Sequence, residues 1–142
     1  MAWWDKLGKG IELERPAQVW PMGAAQNMFI AHGKILLTSI IGEVEVAAID
    51  GGCGNCSLTT EAVDIATAIA ITGDLVGQRY GIDTIGGALL VAPPFTDLHE
   101  PIIIPDAADI SITITAGTTA DGQIKWTIRY QPMEAGAYVA LA

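Results

Sequence analysis

Two runs of alternating apolar and polar side chains lie between residues 109 and 131. A side-chain period of two in β-branched and aromatic residues is typical of a half-buried strand. Between the runs, Asp121-Gly122 favours a tight turn that needs positive φ. The pattern therefore predicts an antiparallel hairpin with one apolar and one wet face. Its apolar positions are Ile110, Ile112, Ile114, Ile124, Trp126, Ile128 and Tyr130.

The segment 34–49 is the longest stretch rich in strand-forming residues. It is predicted to form either one long strand or two strands bent at Gly42. The nearly continuous aliphatic residues in 35–41 predict burial on both faces, whereas the alternation of Glu and Val in 43–46 predicts a half-solvated continuation. The β-branched content and the central glycine disfavour a helix.

Further short apolar pieces are bounded by Gly or Pro, as strands between turns are. The segment 64–74 is ambiguous, because its alanines permit a helix while its alternation of Ile and Thr favours a strand, which we prefer. Eight to ten short strands predict an all-β single domain, a β-sandwich, jelly roll or barrel. The other predicted pieces are 28–32, 56–63, 74–82, 87–93, 101–105 and 132–142.

Residues 1–27 are predicted to form an extended, irregular N-terminal arm in front of a domain spanning 28–142. Glycines and prolines in the arm disfavour a helix. The arm contains three of the four tryptophans, Trp3, Trp4 and Trp20. Such large apolar rings usually pack against something, so two alternatives stay open. Either the arm folds back on its own domain, or its tryptophans contact a neighbouring subunit as partner-binding residues.

The composition excludes several classes of function. Hydrophobic residues make up 51% of the 142 residues, and 7 basic against 16 acidic residues give a net charge of −9. Nucleic-acid binding is not expected, because it depends on clustered Lys and Arg. No membrane span is predicted, since no uncharged apolar run reaches the required length. The first residues lack the pattern of a signal peptide, so we expect no passage through a secretion channel.

Cys53 and Cys56 form a C-x-x-C motif, which allows three interpretations. A structural zinc site would need two further ligands, and only the isolated His32 and His99 are available. A thioredoxin-like site would need a helix following the motif, whereas this motif lies in a glycine-rich turn. We prefer a turn with two free thiols that form a disulfide only under oxidation.

Candidate catalytic residues are scarce. Four carboxylates, those of Asp83, Asp97, Glu100 and Asp106, lie in predicted loops, where a solvated surface charge is the usual role. No serine stands in a G-x-S-x-G turn, and neither histidine has a distinctive setting. The sequence therefore predicts a protein that is not an enzyme, with no catalytic residue, cofactor or metal.

Three segments resemble a family of small virion structural proteins from tailed bacteriophages. They are HGKILLTSIIGEVEVA (32–47), AIAITGDLVGQRYGI (68–82) and GQIKWTIRYQPMEAGAYVALA (122–142). The resemblance covers residues 28–142, is weakest around 83–110, and contains turn glycines and strand residues but no catalytic motif. Glu45, where the family pattern has threonine, and the CGNC turn depart from it.

The resemblance implies a β-sandwich or jelly-roll module on the virion. It implies most plausibly a capsid decoration (cement) protein, which would assemble in the host cytoplasm as a homotrimer. Its partner would be the major capsid protein, whose subunits it would bridge on the outer surface of the head. In that role, an N-terminal arm with large rings would clamp an adjacent subunit. Two alternatives stay open: a tail or head–tail junction protein, and a receptor- or carbohydrate-binding module on the virion surface.

Overall fold

A computed structural model describes nine parts of the chain and places two antiparallel β-sheets face to face. The described residues are 10–20, 23, 25–49, 54–61, 63–82, 84–87, 90–91, 101–115 and 122–142. Eleven strands occur within them, and none of these residues is helical. The strands are β1 (Ile11–Gln18), β2 (Gln26–His32), β3 (Ile35–Val44), β4 (Asn55–Thr60), β5 (Val63–Ala70), β6 (Arg79–Gly81), β7 (Leu90–Val91), β8 (Ile102–Ile104), β9 (Asp109–Thr115), β10 (Ile124–Pro132) and β11 (Tyr138–Leu141).

Sheet A has six strands, five of them in the order β1-β10-β3-β6-β7, and β8 pairs with the beginning of β3. Sheet B has five strands in the order β11-β2-β9-β4-β5. The buried apolar side chains of both sheets form one core cluster between them. The predicted all-β class and the β-sandwich are therefore confirmed, while the jelly roll stays a prediction. The eleven strands exceed the eight to ten expected, because one lies in the predicted arm.

The predicted hairpin between residues 109 and 131 is wrong in its pairing, although both of its strands exist. β9 lies in sheet B between β2 and β4, whereas β10 lies in sheet A between β1 and β3. The alternation is as expected, since Ile110, Trp126 and the other apolar positions are buried. Each of the two strands has one apolar face. Both of these apolar faces are buried when the strands lie in opposite sheets that pack against each other. Gly122 does adopt the positive φ expected of a turn glycine, +80°.

The prediction of an irregular arm is wrong for residues 11–18. They form β1, which pairs antiparallel with β10 at the edge of sheet A, from Ile11 opposite Tyr130 to Gln18 opposite Ile124. Pro16 is compatible with this position, because an edge strand tolerates a residue without an N–H group. The arm thus contributes one strand to the sandwich. Residues 1–9 lie outside the described part of the chain.

Segment 34–49 contains one strand that continues through Gly42, so the alternative of two bent strands is not observed. Along β3, buried and half-buried residues alternate, and Leu36 and Ile41 are only half-buried. The predicted burial on both faces of 35–41 is therefore only partly met. Segment 64–74 is a strand over most of its length, as preferred, since β5 covers Val63–Ala70.

The piece 74–82 is shorter as a strand than the sequence suggests. Only Arg79–Gly81 forms β6, while Asp74–Gln78 is a turn. Gly73 and Gly77 adopt φ of +81° and +92°, values that L side chains rarely adopt. These two glycines break the strand and hold the aliphatic residues between them in a loop.

Candidate interaction surfaces

Of the three tryptophans predicted to bind a partner, the structure describes Trp20 alone, since Trp3 and Trp4 lie outside the described residues. Trp20 is only 2% exposed. Its indole N–H donates a hydrogen bond to the carbonyl oxygen of Ile124 at 3.1 Å. Trp20 therefore packs on its own domain, which agrees with the folded-back alternative and leaves this ring no free surface for a partner.

Arg15 closes the corner where β1 meets sheet B. Its guanidinium donates to the main-chain oxygens of Ala142 and Met28, the latter at 3.3 Å. It also lies over the Trp20 ring, 5.7 Å from the centroid. The guanidinium thus donates to main-chain oxygens of two segments of sheet B and at the same time faces an aromatic ring. One edge of the sandwich is thereby closed by a side chain from the predicted arm.

Cys56 lies in β4, as the predicted strand 56–63 has it, and not in the predicted C-x-x-C turn, and its thiol is free and fully buried. Burial raises the pKa of Cys56 to about 12. A thiol of this kind is protonated at neutral pH and is a poor nucleophile and metal ligand. Cys53 and His99 lie outside the described residues, so the C-x-x-C interpretations stay open beyond Cys56 itself.

Gly42, Tyr80 and Trp126 form a contact across three neighbouring strands, which we call the aromatic seam. In the registers of sheet A, Gly42 on β3 lies opposite both Trp126 on β10 and Tyr80 on β6. A Cβ added at Gly42 would lie 2.8 Å from two carbons of the Trp126 ring. The two rings are 6.5 Å apart between centroids. Gly42 therefore leaves room for the indole rather than bending the strand.

Two loops at one end of the sandwich are joined by backbone hydrogen bonds. One segment, 44–49, begins with the last residue of β3, and the other, 72–78, precedes β6. Backbone hydrogen bonds join the two segments at both of their ends. The N–H groups donate to the carbonyl oxygens in four bonds: Gly77 N to Val44 O (2.7 Å), Val44 N to Gln78 O (2.9 Å), Ile49 N to Asp74 O (2.8 Å) and Gly73 N to Ile49 O (3.1 Å). This pairing places the loop that contains Val46 beside the loop that contains Leu75 and Val76.

Val46, Leu75 and Val76 have the three most exposed large apolar side chains among the described residues, and we call them the apolar tip. Leu75 is 70% exposed, Val46 61% and Val76 54%. The tip is anchored to the aromatic seam, because the Tyr80 hydroxyl donates to Asp74 Oδ2 at 2.6 Å. Burial and this bond to Asp74 raise the pKa of Tyr80. The tip therefore combines an apolar surface with a backbone fixed from inside.

One edge of each sheet, β1 in sheet A and β5 in sheet B, carries features that disfavour pairing with another chain. β1 exposes Glu12, Glu14 and Pro16, and its register shifts between Arg15 and Gln18. The free edge of β5 is partly covered by the turn 84–87, through Thr67 N to Gly87 O and Gly86 N to Ile65 O, both 2.9 Å. Charges, proline, irregular register and covering loops are the usual protections of edge strands.

Ion pairs on the outer face of sheet A join β10 to β1 and to Glu45, the residue that follows β3. Lys125 on β10 lies 2.8 Å from Glu45 and 3.9 Å from Glu14 on β1, and Arg129 lies 3.5 Å from Glu12. The hydrogen bond to Glu45 raises the pKa of Lys125. Basic residues on the middle strand between acidic neighbours help to fix the register.

A stacked aromatic pair lies on sheet B, at the end opposite the apolar tip. His32 on β2 and Tyr138 on β11 face each other across the register, with centroids 4.6 Å apart and planes at 17°. Both residues are exposed, and Tyr138 is half-exposed. The pair presents an aromatic surface to solvent.

Comparisons with known proteins found no relative of this chain. The chain matches no protein-family model, no curated protein and no solved structure. In the described segments, no three His, Cys, Asp or Glu residues lie together as metal ligands would. The same segments contain no helix long and apolar enough to cross a membrane.

Sequence reasoning missed the apolar tip, because Leu75 and Val76 were assigned to a strand. The relevant signal was present: an aliphatic pair enclosed by Gly73 and Gly77. Two glycines that are separated by three residues and enclose a short aliphatic run indicate a loop as readily as a strand end.

Proposed function

We propose that this chain is a non-enzymatic structural protein of a tailed-bacteriophage virion, a capsid decoration protein. It binds the outer surface of the head and stabilises the shell by bridging subunits of the major capsid protein. Binding to one state of the shell stabilises that state by mass action, as a ligand does.

The aromatic seam is the observation that supports this proposal most directly. The three segments that resemble phage virion proteins contribute one residue each: Gly42 from 32–47, Tyr80 from 68–82, and Trp126 from 122–142. These residues meet on adjacent strands of sheet A. Segments far apart in the sequence thus form one packed unit, which is expected if the resemblance reflects a shared fold.

The charge distribution supports an outer rather than an inner location. With a net charge of −9, the protein would be repelled by packaged DNA. The bases Lys125 and Arg129 are engaged by carboxylates on neighbouring strands. An acidic chain suits a surface that faces solvent and the capsid exterior.

The test is to add recombinant protein to expanded and unexpanded heads that lack it. We expect binding to expanded heads and greater resistance of those heads to heat. Equal binding to unexpanded shells, or unchanged heat resistance, would contradict the cement mechanism. Copy number per virion separates the alternatives: hundreds for a decoration protein, and on the order of a dozen for a head–tail connector that follows the symmetry of the tail.

The proposed assembly is a homotrimer, and the structure refines how its mass should be measured. A truncation of residues 1–15 would remove most of β1, so its effects would mix unfolding with loss of contacts. Removing residues 1–9 leaves β1 intact. Light scattering on both lengths should give a trimer for the full chain, and a monomer for the shorter chain would assign the contact to residues 1–9, which contain Trp3 and Trp4.

A second candidate function is carbohydrate binding on the virion surface, and the His32–Tyr138 pair favours it. Exposed aromatic faces can stack on sugar rings, as they do on other ligands. A glycan array with no bound sugar would dispose of this candidate. A hit that disappears in Tyr138→Ala, but not in Ile103→Ala, would support it.

A further inference from the structure

We propose that the free edge of β11 pairs with β11 of a second copy of this chain, so that sheet B continues from one copy into the other. β11 is Tyr138–Leu141, the outermost strand of sheet B. The two strands run antiparallel about a two-fold axis. This contact goes beyond the proposed function, because a two-fold contact joins copies in pairs, whereas the proposed trimer needs a different contact.

The backbone of β11 has hydrogen-bonding groups on its outer side. β2 lies on one side of β11, and the described segments place no strand on the other. Ala142 N donates to Met28 O at 3.1 Å, so Ala140 also directs its N–H and C=O groups toward β2. The groups of Val139 and Leu141 alternate with these and point outward. They are the donors and acceptors that an added strand satisfies.

β11 also lacks the protections that the edges β1 and β5 have. Residues 138–141, YVAL, contain no charge, proline or glycine. The register with β2 runs without a shift from Tyr138 opposite His32 to Leu141 opposite Phe29. Natural proteins protect regular, uncharged edge strands where pairing with another chain is not used. The open edge therefore indicates that a strand is its partner.

The chain itself supplies the matching strand. The other described edges are poor partners: β1 carries acidic residues and a proline, β5 is partly covered, β7 has two residues, and β8 lies between Pro101 and Pro105. Two β11 strands complement each other, because an uncharged strand places no like charges opposite each other. Each copy has a net charge of −9, but none of it lies on β11, so added salt should strengthen the contact by screening the repulsion between copies.

The register follows from the outward-facing groups. Pairing all of them places Val139 opposite Leu141 of the second copy, and Ala140 opposite Ala140 of the second copy on the axis. Val139 and Leu141 then exchange N–H···O bonds across the axis. Tyr138, which is 50% exposed, comes to lie beside the small Ala140 of the second copy, and Leu141, which is 44% exposed, is covered as well.

The first experiment follows amide exchange and mass of the full chain from micromolar to millimolar concentration. The N–H groups of Val139 and Leu141 should become protected by at least about tenfold, while that of Ala140, already bonded to β2, should not change. Light scattering should show a rise to an even number of chains, a dimer from a monomer or a hexamer from a trimer. Constant mass with unchanged exchange would overturn the inference.

The second experiment tests the position of the axis with Ala140→Lys and Ala140→Glu. Each variant keeps every N–H group of the edge and places like charges opposite each other. Each alone should self-associate at least about fivefold more weakly than the wild type. An equimolar mixture should restore the association, because opposite charges then face each other. A mixture that associates no better than the separate variants contradicts the pairing.

The third experiment asks whether the backbone makes the contact. Leu141→Pro removes an outward N–H group and none of the bonds to β2, and edge strands tolerate proline. Leu141→Ala, the matched control, keeps that group. The proline variant should self-associate about 30-fold more weakly than the control, because the axis repeats the lost bond. Equal association of the two would rule out strand pairing. Unfolding curves identify any loss of fold, in which case the mixture of charged variants decides.

Binding to expanded heads distinguishes this inference from the proposed function. A wild type that binds heads but does not self-associate leaves the function standing and overturns the inference. The inference is also overturned if Leu141→Pro loses head binding while the wild type does not self-associate, because the edge then pairs with the shell. A wild type that pairs as described but binds no heads supports the inference and overturns the function.

Discussion

The aromatic seam and the apolar tip are neighbours in the sequence, four positions apart at the end of β3 and again at the beginning of β6. The seam buries its side chains, whereas the tip exposes them. Gly42 and Tyr80 belong to the seam, whereas Val46 and Val76 belong to the tip. The seam is fully enclosed and fixes three strands of sheet A to one another. The tip is more than half-exposed. Stability should therefore depend strongly on the seam and only weakly on the tip.

Removing the indole should have the largest effect on stability. Trp126→Ala empties a fully buried site in the centre of sheet A, and such changes cost about 3–5 kcal/mol. Urea unfolding at neutral pH measures the loss. Ile103→Ala, at a half-exposed position on β8, is the control and should change the free energy of unfolding by less than about 0.5 kcal/mol. Similar losses for the two variants would contradict the assigned role of the seam.

Alkaline pH should lower the free energy of unfolding through two buried groups, Cys56 and Tyr80, neither of which belongs to the tip. The pKa of Cys56 is raised from 9.0 to about 12, so the folded state holds this proton more tightly than the unfolded state does. The stability that this proton contributes is fully present below pH 9 and is lost as the pH rises to about 12. Over that range the free energy of unfolding should fall by about 1.4 kcal/mol per pH unit. The raised pKa of Tyr80 adds a loss with the same sign, beginning near pH 10.

Urea unfolding at several pH values between 8 and 10 tests this. The slope between pH 9 and 10 should be smaller in Cys56→Ala than in the wild type, even though the variant is less stable at pH 7. An unchanged slope would show that another group titrates.

Filling the space at Gly42 should cost less than emptying the indole site. In Gly42→Ala the new Cβ would meet the Trp126 ring at 2.8 Å, and overpacking of this kind costs about 1–3 kcal/mol. The cost should fall when Trp126 is first replaced by Leu, because the clash is with the ring. A cost that is the same in both backgrounds would mean that the glycine matters for its backbone alone.

Tyr80→Phe tests the connection between the seam and the tip. It removes the hydrogen bond to Asp74 but keeps the ring, so a loss of about 0.5–1.5 kcal/mol is expected. Amide exchange of Gly73 and Gly77 should become faster, because their loop loses its anchor. Tyr138→Phe, at a half-exposed tyrosine, is the control. Unchanged exchange in Tyr80→Phe would mean that the backbone bonds alone fix the tip.

The tip itself should give the smallest effect on stability. Leu75→Ser changes a side chain that is 70% exposed, so the free energy of unfolding should change by less than about 0.5 kcal/mol. Thermal or urea unfolding measures it. A loss above 1 kcal/mol would mean that Leu75 contributes to the fold, and the contrast between seam and tip would fail.

The sequence by itself determined the fold class and the position of most strands. Alternation is a local property, and it follows from the period of two along a strand that has one buried face. That is why β9, β10 and β5 could be located without the structure. The turn glycines were readable for the same reason, since positive φ is a property of single residues.

Only the tertiary structure decided which strands pair and which apolar residues are buried. β9 and β10 are consecutive strands, yet they lie in opposite sheets, because each buries its apolar face against the other sheet. Residues 11–18 form a strand only because β10 offers them an edge. Leu75 and Val76 look like strand residues by composition and are exposed because Gly73 and Gly77 hold them in a loop. Burial depends on contacts between segments distant in the sequence, and no local pattern specifies those contacts.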